Sequence, residues 1–269
     1  MPKITMEESK LDNYLSLAKK AVTKVGEIIE AEKRKGYRVI RKEKNELVTE
    51  LDVLAQARLI DLLKEEAECR TFIAEEKRIL DLPENDFWVI DPIDGTHNFI
   101  AGLPFYSVSL AYFHKGILML SAVYFPESRD LYYAQKGKGA FCNNALIRIS
   151  SNKDLAKGIV AYDNQFYLTK NSLANFIEIQ KSVFTTRILG VASRDACFVA
   201  EGVLDARIWN STKLCDIAAG SLIVEEAGGR VSDFSGKPLD FHSVKDVIAS
   251  SGKFHGDLIK ILNHEDNND

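Results

Sequence analysis

The run Asp91-Pro92-Ile93-Asp94-Gly95-Thr96 follows the apolar stretch Phe87-Trp88-Val89-Ile90, placing two carboxylates, a breaker, a glycine and a hydroxyl at the end of an expected strand. Mg²⁺ prefers oxygen ligands at about 2.0–2.1 Å and readily shares its remaining positions with a phosphate, so Asp91 and Asp94 are candidate ligands. Pro92 has no N–H to give to a sheet, which predicts that strand pairing stops there and that both acids sit on a turn. Gly95 lets backbone N–H groups approach an anion, and a helix opening near Thr96 would add its positive end. The same six residues also suit a solvated turn, because Asp, Pro and Gly dominate turns in general.

Three further acids stand where expected elements begin or end. Thr49-x-x-Asp52 precedes Val53, Ala57, Ile60, Leu63 and Ala67, the pattern of a capping box and a helix. Thr71 to Ala74 reads as a short strand running into Glu75-Glu76, and Asp216 opens a long helix that closes at Gly228-Gly229. Each has an ordinary explanation: a cap, an edge residue, an acid complementing a helix dipole. The five histidines include no H-x-x-x-H pair, which argues against zinc, and the four cysteines form no C-x-x-C pair, which fits a reducing cytoplasm.

The elements that must position these residues follow from periodicity. Leu11, Tyr14, Leu15, Ala18, Val22, Val25, Ile28 and Ile29 predict an amphipathic helix over residues 7–33. The basic segment Lys33 to Glu46 reads as a solvated helix end and hairpin, with a phosphate-attracting patch as the alternative. Tyr106 to Phe113, Ile117 to Phe125 and Leu131 to Ala134 predict an antiparallel meander, with a turn at Gln135 to Gly139. Strands and helices then alternate: Ile159 to Tyr162, a helix over 171–181, Val183 to Ile188, a helix over 193–201, Leu204 to Trp209, Val247 to Ser250 and a last helix from Phe254 to Leu262. The change of pattern predicts two halves, 1–148 and 149–269, and the polar tail Glu265 to Asp269 is expected to fray.

The chain has 269 residues, 46% of them hydrophobic, enough for a substantial core. Its 35 basic and 39 acidic residues leave a net charge of −4, so no global field favours nucleic acid or an anionic membrane. The N-terminus shows no apolar signal region and no stretch approaches 18 apolar residues, so a cytoplasmic protein without membrane contact is expected.

The segments Phe72 to Glu76, Trp88 to Phe99, Cys215 to Gly220 and Glu226 to Gly229 together resemble the inositol monophosphatase family. Pro104 to Ser109 and Lys136 to Asn143 extend the resemblance, which covers about residues 45 to 232. It implies an α/β (α+β) fold, a five-layer α-β-α-β-α sandwich of the inositol monophosphatase and fructose-1,6-bisphosphatase type. It also implies Mg²⁺-dependent hydrolysis of a small phosphomonoester, two or three Mg²⁺ per site and a homodimer. Carried over by position, the metal ligands would be Glu75, Asp91, the carbonyl of Ile93, Asp94 and Asp216. Asp52, Glu75 and Thr96 would be catalytic, with Thr96 orienting the attacking water and Asp52 as its acceptor. Asp94, Gly95, Thr96, Gly190, Ala192 and Asp216 would bind substrate.

The sequence departs from that pattern on the leaving-group side. Trp209 stands seven residues before Asp216, where members taking inositol phosphates carry a glutamate that accepts bonds from sugar hydroxyls. An indole has one donor and no acceptor, so it cannot do that work. It is expected to pack in a strand under the substrate loop, with stacking on a ring as the alternative. Cys215 replaces the motif tryptophan, Val191 replaces a small polar residue, Leu51 replaces a threonine before Asp52, and His97 stands where threonine is common. Inositol phosphate is therefore not assumed, and histidinol phosphate, a nucleotide or a sugar phosphate stay open. A rival from another class is a regulatory protein of the transcription or ribosome machinery in which turnover is dispensable; direct nucleic-acid binding is not expected.

Overall fold

Each strand of the fold puts alternate side chains on opposite faces, and here both faces of both main sheets are covered by helices. The computed structural model describes residues 7–41, 47–75, 82–167, 169 and 171–263; Glu76, the basic segment beyond Arg41, His264 and the tail Glu265 to Asp269 lie outside them.

The chain opens with α1 (Glu8–Lys33), then a hairpin of β1 (Val39–Arg41) and β2 (Leu47–Thr49) leading into α2 (Glu50–Glu66). The capping box read at Thr49 forms: Thr49 Oγ1 accepts from the N–H groups of Leu51 and Asp52, and Asp52 Oδ2 accepts from the Thr49 N–H at 2.7 Å. Next come β3 (Phe72–Ala74), β4 (Phe87–Asp94), the short α3 (Thr96–Ala101), β5 (Ser107–His114), β6 (Ile117–Phe125), β7 (Asp130–Gln135), β8 (Gly139–Cys142) and β9 (Ala145–Leu146). They form a seven-stranded sheet in chain order, parallel between β3 and β4 and antiparallel elsewhere.

The rest alternates as β10 (Ile159–Ala161), α4 (Ser172–Ser182), β11 (Thr185–Arg187), α5 (Ala192–Ala200), β12 (Ala206–Trp209), α6 (Leu214–Glu226), β13 (Arg230–Asp233), β14 (Val247–Ser250) and α7 (His255–Leu262). Its five-stranded sheet has the order β11-β10-β12-β14-β13. Three cores separate five layers. On β4, Trp88 and Ile90 pack with α1 and α2, whereas Phe87 and Val89 face α5 and α6. On β12 and β14, Trp209, Val247 and Ala249 face that same middle layer, and Ala206, Ile208 and Ile248 face α4 and α7. The order is therefore α1/α2, seven-stranded sheet, α5/α6, five-stranded sheet, α4/α7: the α-β-α-β-α sandwich.

The structure corrects several local readings. Pro92 does not end β4, which runs on through Asp94 because a bulge between Asp91 and Asp94 absorbs the missing N–H. The expected strand from Val183 to Ile188 shrinks to the three residues of β11, and β8, β9 and β13 lie outside the pattern read from sequence. These short pieces carry too few residues for a period to show.

Helix α6 lies between the two sheets, and its residues Ile217 to Val224 are buried all round. It meets α5 closely enough that a Cβ on Gly220 would lie 2.5 Å from the Cβ of Ala196. In an open helix Gly→Ala stabilises by up to about 1 kcal/mol, but overpacking a core costs about 1–3 kcal/mol. Gly220→Ala is therefore expected to lower the unfolding free energy in urea titration, and a rise would show that the helices have room to separate.

Candidate active site

An odd spacing in a regular strand would send Asp91 and Asp94 to opposite faces of the sheet. The bulge cancels that: Asp91 pairs with Ser109 and Asp94 with Ser107, two residues apart on β5, so both acids share the face that looks at the middle helices. Asp91 is 2% exposed, and its Oδ1 is buried with no hydrogen-bond partner among the described residues.

Asp94 reaches across to the second sheet's side of the molecule. Its Oδ1 accepts from the Ala192 N–H at 3.1 Å, and its Oδ2 accepts from the Ser193 N–H at 2.7 Å and from the Ser193 hydroxyl. These are orphan N–H groups of the first turn of α5, so Asp94 serves that helix as a cap delivered from another strand. Ser193 Oγ also meets Ser107 Oγ at 2.6 Å.

Asp216 comes from the first turn of α6, where its Oδ2 accepts from the Lys213 N–H and the Thr212 hydroxyl, both at 3.1 Å. Glu75, just past β3, has Oε1 3.9 Å from Lys213 Nζ. Thr96 opens α3, and its Oγ1 lies 3.1 Å from Asp52 Oδ1 and 2.9 Å from the Ile93 carbonyl. Gly95 before it has φ +90°, and a Cβ there would lie 2.7 Å from Val191 Cγ2 and 3.0 Å from the Phe105 carbonyl. Only glycine fits so close an approach. Asn98 Nδ2 donates to the Leu189 carbonyl at 2.7 Å, tying α3 to the segment that carries Gly190 and Ala192.

One cleft of about 390 Å³ gathers Glu75, Asp91, Ile93, Asp94, Gly95, Thr96, Gly190, Ala192 and Asp216 on its walls. Asp52 stands behind Thr96 and off that wall, so its cap and its bond to Thr96 are held at once. Burial raises the Asp91 carboxyl well above its ordinary value, and the charges of Glu75, Asp94 and Asp216 push further the same way. Burial takes Asp94 up to about 6 against the opposing bonds from Ser193. Burial raises Asp216 too, against the Lys213 N–H, the Lys213 charge and Thr212.

Among the described residues no three His, Cys, Asp or Glu side chains are already gathered around a single point as one ion requires. Asp94 and Asp216 spend oxygens on helix N–H groups instead. The oxygens on the wall nevertheless suit a hard cation: the carboxyls of Glu75, Asp91, Asp94 and Asp216 and the Ile93 carbonyl share it, and Asp91 Oδ1 has no hydrogen-bond partner among the described residues.

Trp209 is 3% exposed and packs in the middle core, as expected for a strand aromatic, while one edge borders the cleft. The sequence reading missed Ser193, Thr212, Lys213, Asp163 and Arg207. Lys213 and Thr212 were open to it, three and four residues ahead of Asp216 on a helix start, whereas Ser193 has no local signal of its bond to Asp94.

The sequence profile of the inositol monophosphatase family matches residues 10–266. A Thermotoga maritima protein named fructose-1,6-bisphosphatase/inositol-1-monophosphatase is 37% identical over 239 residues, covering 88% of each chain. The Nus factor SuhB of Pasteurella multocida is 36% identical over 232 residues, covering 84% of this chain and 87% of that one. The solved structure of an IMPase/NADP phosphatase complexed with NADP and Ca²⁺ superposes with a TM-score of 0.87 at 27% identity, over 97% of this chain and 98% of that one. The chain belongs to the inositol monophosphatase family, a family of metal-dependent phosphatases that also takes in proteins named Nus factor SuhB. Among the described residues no helix is long and apolar enough to cross a membrane.

The raised acids set a pH dependence. Between about pH 4 and 6 the unfolded chain has released the Asp94 proton and the folded chain still holds it, so the folded state binds more protons and stability falls as pH rises through that window. A cation neutralising the cleft reverses the loss. Millimolar Mg²⁺ is expected to raise the Tm of chelator-treated protein more at pH 7 than at pH 5; an equal or smaller rise at pH 7 would contradict the clustering of charge.

Proposed function

We propose that this member of the inositol monophosphatase family hydrolyses a small phosphomonoester with Mg²⁺ as cofactor, at the cleft between β4 and α6. The observation that carries the reading is the sharing of one cleft by acids remote in sequence, Glu75, Asp91, Asp94 and Asp216, beside the Gly95-Thr96 turn. Glu75, Asp91, the Ile93 carbonyl, Asp94 and Asp216 would hold the metal. Bound Mg²⁺, two or three ions per site, supplies positive charge against the phosphate and the leaving oxygen and acidifies the attacking water.

The remaining work belongs to side chains and backbone. The Thr96 hydroxyl has one proton to donate, with Asp52 Oδ1 at 3.1 Å and the Ile93 carbonyl at 2.9 Å as its acceptors, and either bond leaves the lone pairs of Thr96 Oγ1 to accept from a water in the cleft. Glu75 provides the second acceptor, so that water is oriented for in-line attack without a phosphoenzyme. The N–H groups of Gly95 and Thr96 hold phosphate oxygens, and Gly190, Ala192, Asp94 and Asp216 flank the substrate. Exposed apolar side chains at Leu173, Ile177, Phe184 and Ile188, on α4 and around the edge strand β11, support a homodimer.

A second reading rests on the relatives named Nus factor SuhB: a role in the transcription machinery with dispensable turnover. Phosphate release from a panel of monoesters, with and without Mg²⁺, separates the two. Mg²⁺-dependent release is expected, and Asp94→Asn should lower kcat/KM by about 100-fold or more. No release from any monoester at millimolar Mg²⁺, or an Asp94→Asn protein as active as the wild type, would overturn the enzymatic reading.

A further inference from the structure

Helix α3 carries Thr96 at its start and is six residues long, too short to keep its place by internal bonds. Outside contacts hold it at its start, middle and end. At the start Thr96 Oγ1 lies 3.1 Å from Asp52 Oδ1, and in the middle Asn98 donates to the Leu189 carbonyl. At the end stands Tyr37, in the link between α1 and β1. Its hydroxyl donates to the Phe99 carbonyl at 3.2 Å, and the two rings lie 5.0 Å apart at 36°. Phe99 is fully buried, and its N–H donates to the Gly95 carbonyl at 2.9 Å, so whatever holds Phe99 also holds the turn of Gly95 and Thr96.

The residue after Tyr37 is tied to the other partner of Thr96. The Arg38 carbonyl accepts from the Glu50 N–H at 3.1 Å, and the Arg38 N–H and Nε each donate to the Glu50 carboxylate at 3.0 Å. The Arg38 side chain is 89% exposed, so its ion pair adds little and the backbone bonds carry this tie. Glu50 opens α2 two residues before Asp52, and β1 pairs Val39 with Thr49, whose N–H and hydroxyl both bond to Asp52 Oδ2. Tyr37 and Arg38 thus close a ring of contacts through Phe99, Thr96, Asp52 and Glu50. Tyr37 lies off the cleft wall and reaches the site through α3.

We infer that Tyr37 is a positioning residue: by holding the last turn of α3 against the base of the β1–β2 hairpin, it keeps Thr96 Oγ1 within bonding distance of Asp52 and so sets how Thr96 meets the attacking water. The inference rests on the phosphatase reading for turnover, and one readout of its test needs no turnover. That readout is amide hydrogen exchange in Tyr37→Phe, which removes the hydroxyl and keeps the ring. Exchange across α3 is expected to quicken by about 3- to 10-fold, the worth of one hydrogen bond. The second readout is a double-mutant cycle on the monoester that the wild type turns over fastest with Mg²⁺. Tyr37→Phe is expected to lower kcat by about 3- to 10-fold with KM little changed, and to cost little more in a Thr96→Ala background, because its effect passes through the Thr96 hydroxyl. A purely structural tyrosine would cost the same factor in both backgrounds. A wild type that releases no phosphate while exchange across α3 still depends on Tyr37 would remove the phosphatase reading and leave the hold of Tyr37 on α3 standing. Unchanged exchange across α3, an unchanged kcat in Tyr37→Phe, or equal losses in the two backgrounds would overturn the inference.

Discussion

The burial of like charges is the constraint on which the rest of the structure depends. Two unit charges about 4 Å apart at an effective dielectric of about 20 oppose each other by about 4 kcal/mol, and burial adds to that. A native domain is stable by only about 5–15 kcal/mol, so several such acids must be compensated. The fold offers compensation from two sources. The N–H groups at the starts of α5 and α6 take part of the charge of Asp94 and Asp216, and Lys213 stands near Glu75. Asp91 Oδ1 receives neither, which makes it the point where an external cation gains most.

Asp94 joins this electrostatics to the architecture. The strand that carries it belongs to the seven-stranded sheet, and the helix it caps lies between that sheet and the other. The same bond therefore fixes the depth of β4, the entry of α5 and the position of Gly190 and Ala192 on the cleft wall. Arg207 performs a related task one layer over, joining Asp195 of α5 to Asp163 of the loop after β10. Both contacts converge on the first turn of α5, at Ala192 and Ser193 for Asp94 and at Asp195 for Arg207.

Most of the long elements were legible in the sequence because they repeat with a clear period, whereas their stacking in five layers was implied by the family resemblance. The helix ending at Lys33, the capping box at Thr49 and Asp52, the meander and the glycine-ended α6 all stand where periodicity put them. What escaped has identifiable causes. The bulge at Asp91 to Asp94 changes which face a side chain takes, and a proline there signals an ending as strongly as a bulge. Strands of two to four residues, such as β8, β9 and β13, are too short to show alternation. The bond from Ser193 to Asp94 and the Arg207 anchor join residues that lie close only after the layers stack. Trp209 was legible as a core residue, yet the carboxylate on the same wall, Asp163, comes from a loop with no motif to announce it.

The convergence of remote acids on a divalent cation is open to direct observation in crystals of the full chain soaked with Mn²⁺ as a Mg²⁺ substitute. Anomalous difference density is expected between Asp91, Asp94, Asp216 and Glu75, beside the Ile93 carbonyl. Density confined to other acids of the surface, or its absence from this cleft at millimolar Mn²⁺, would contradict the account.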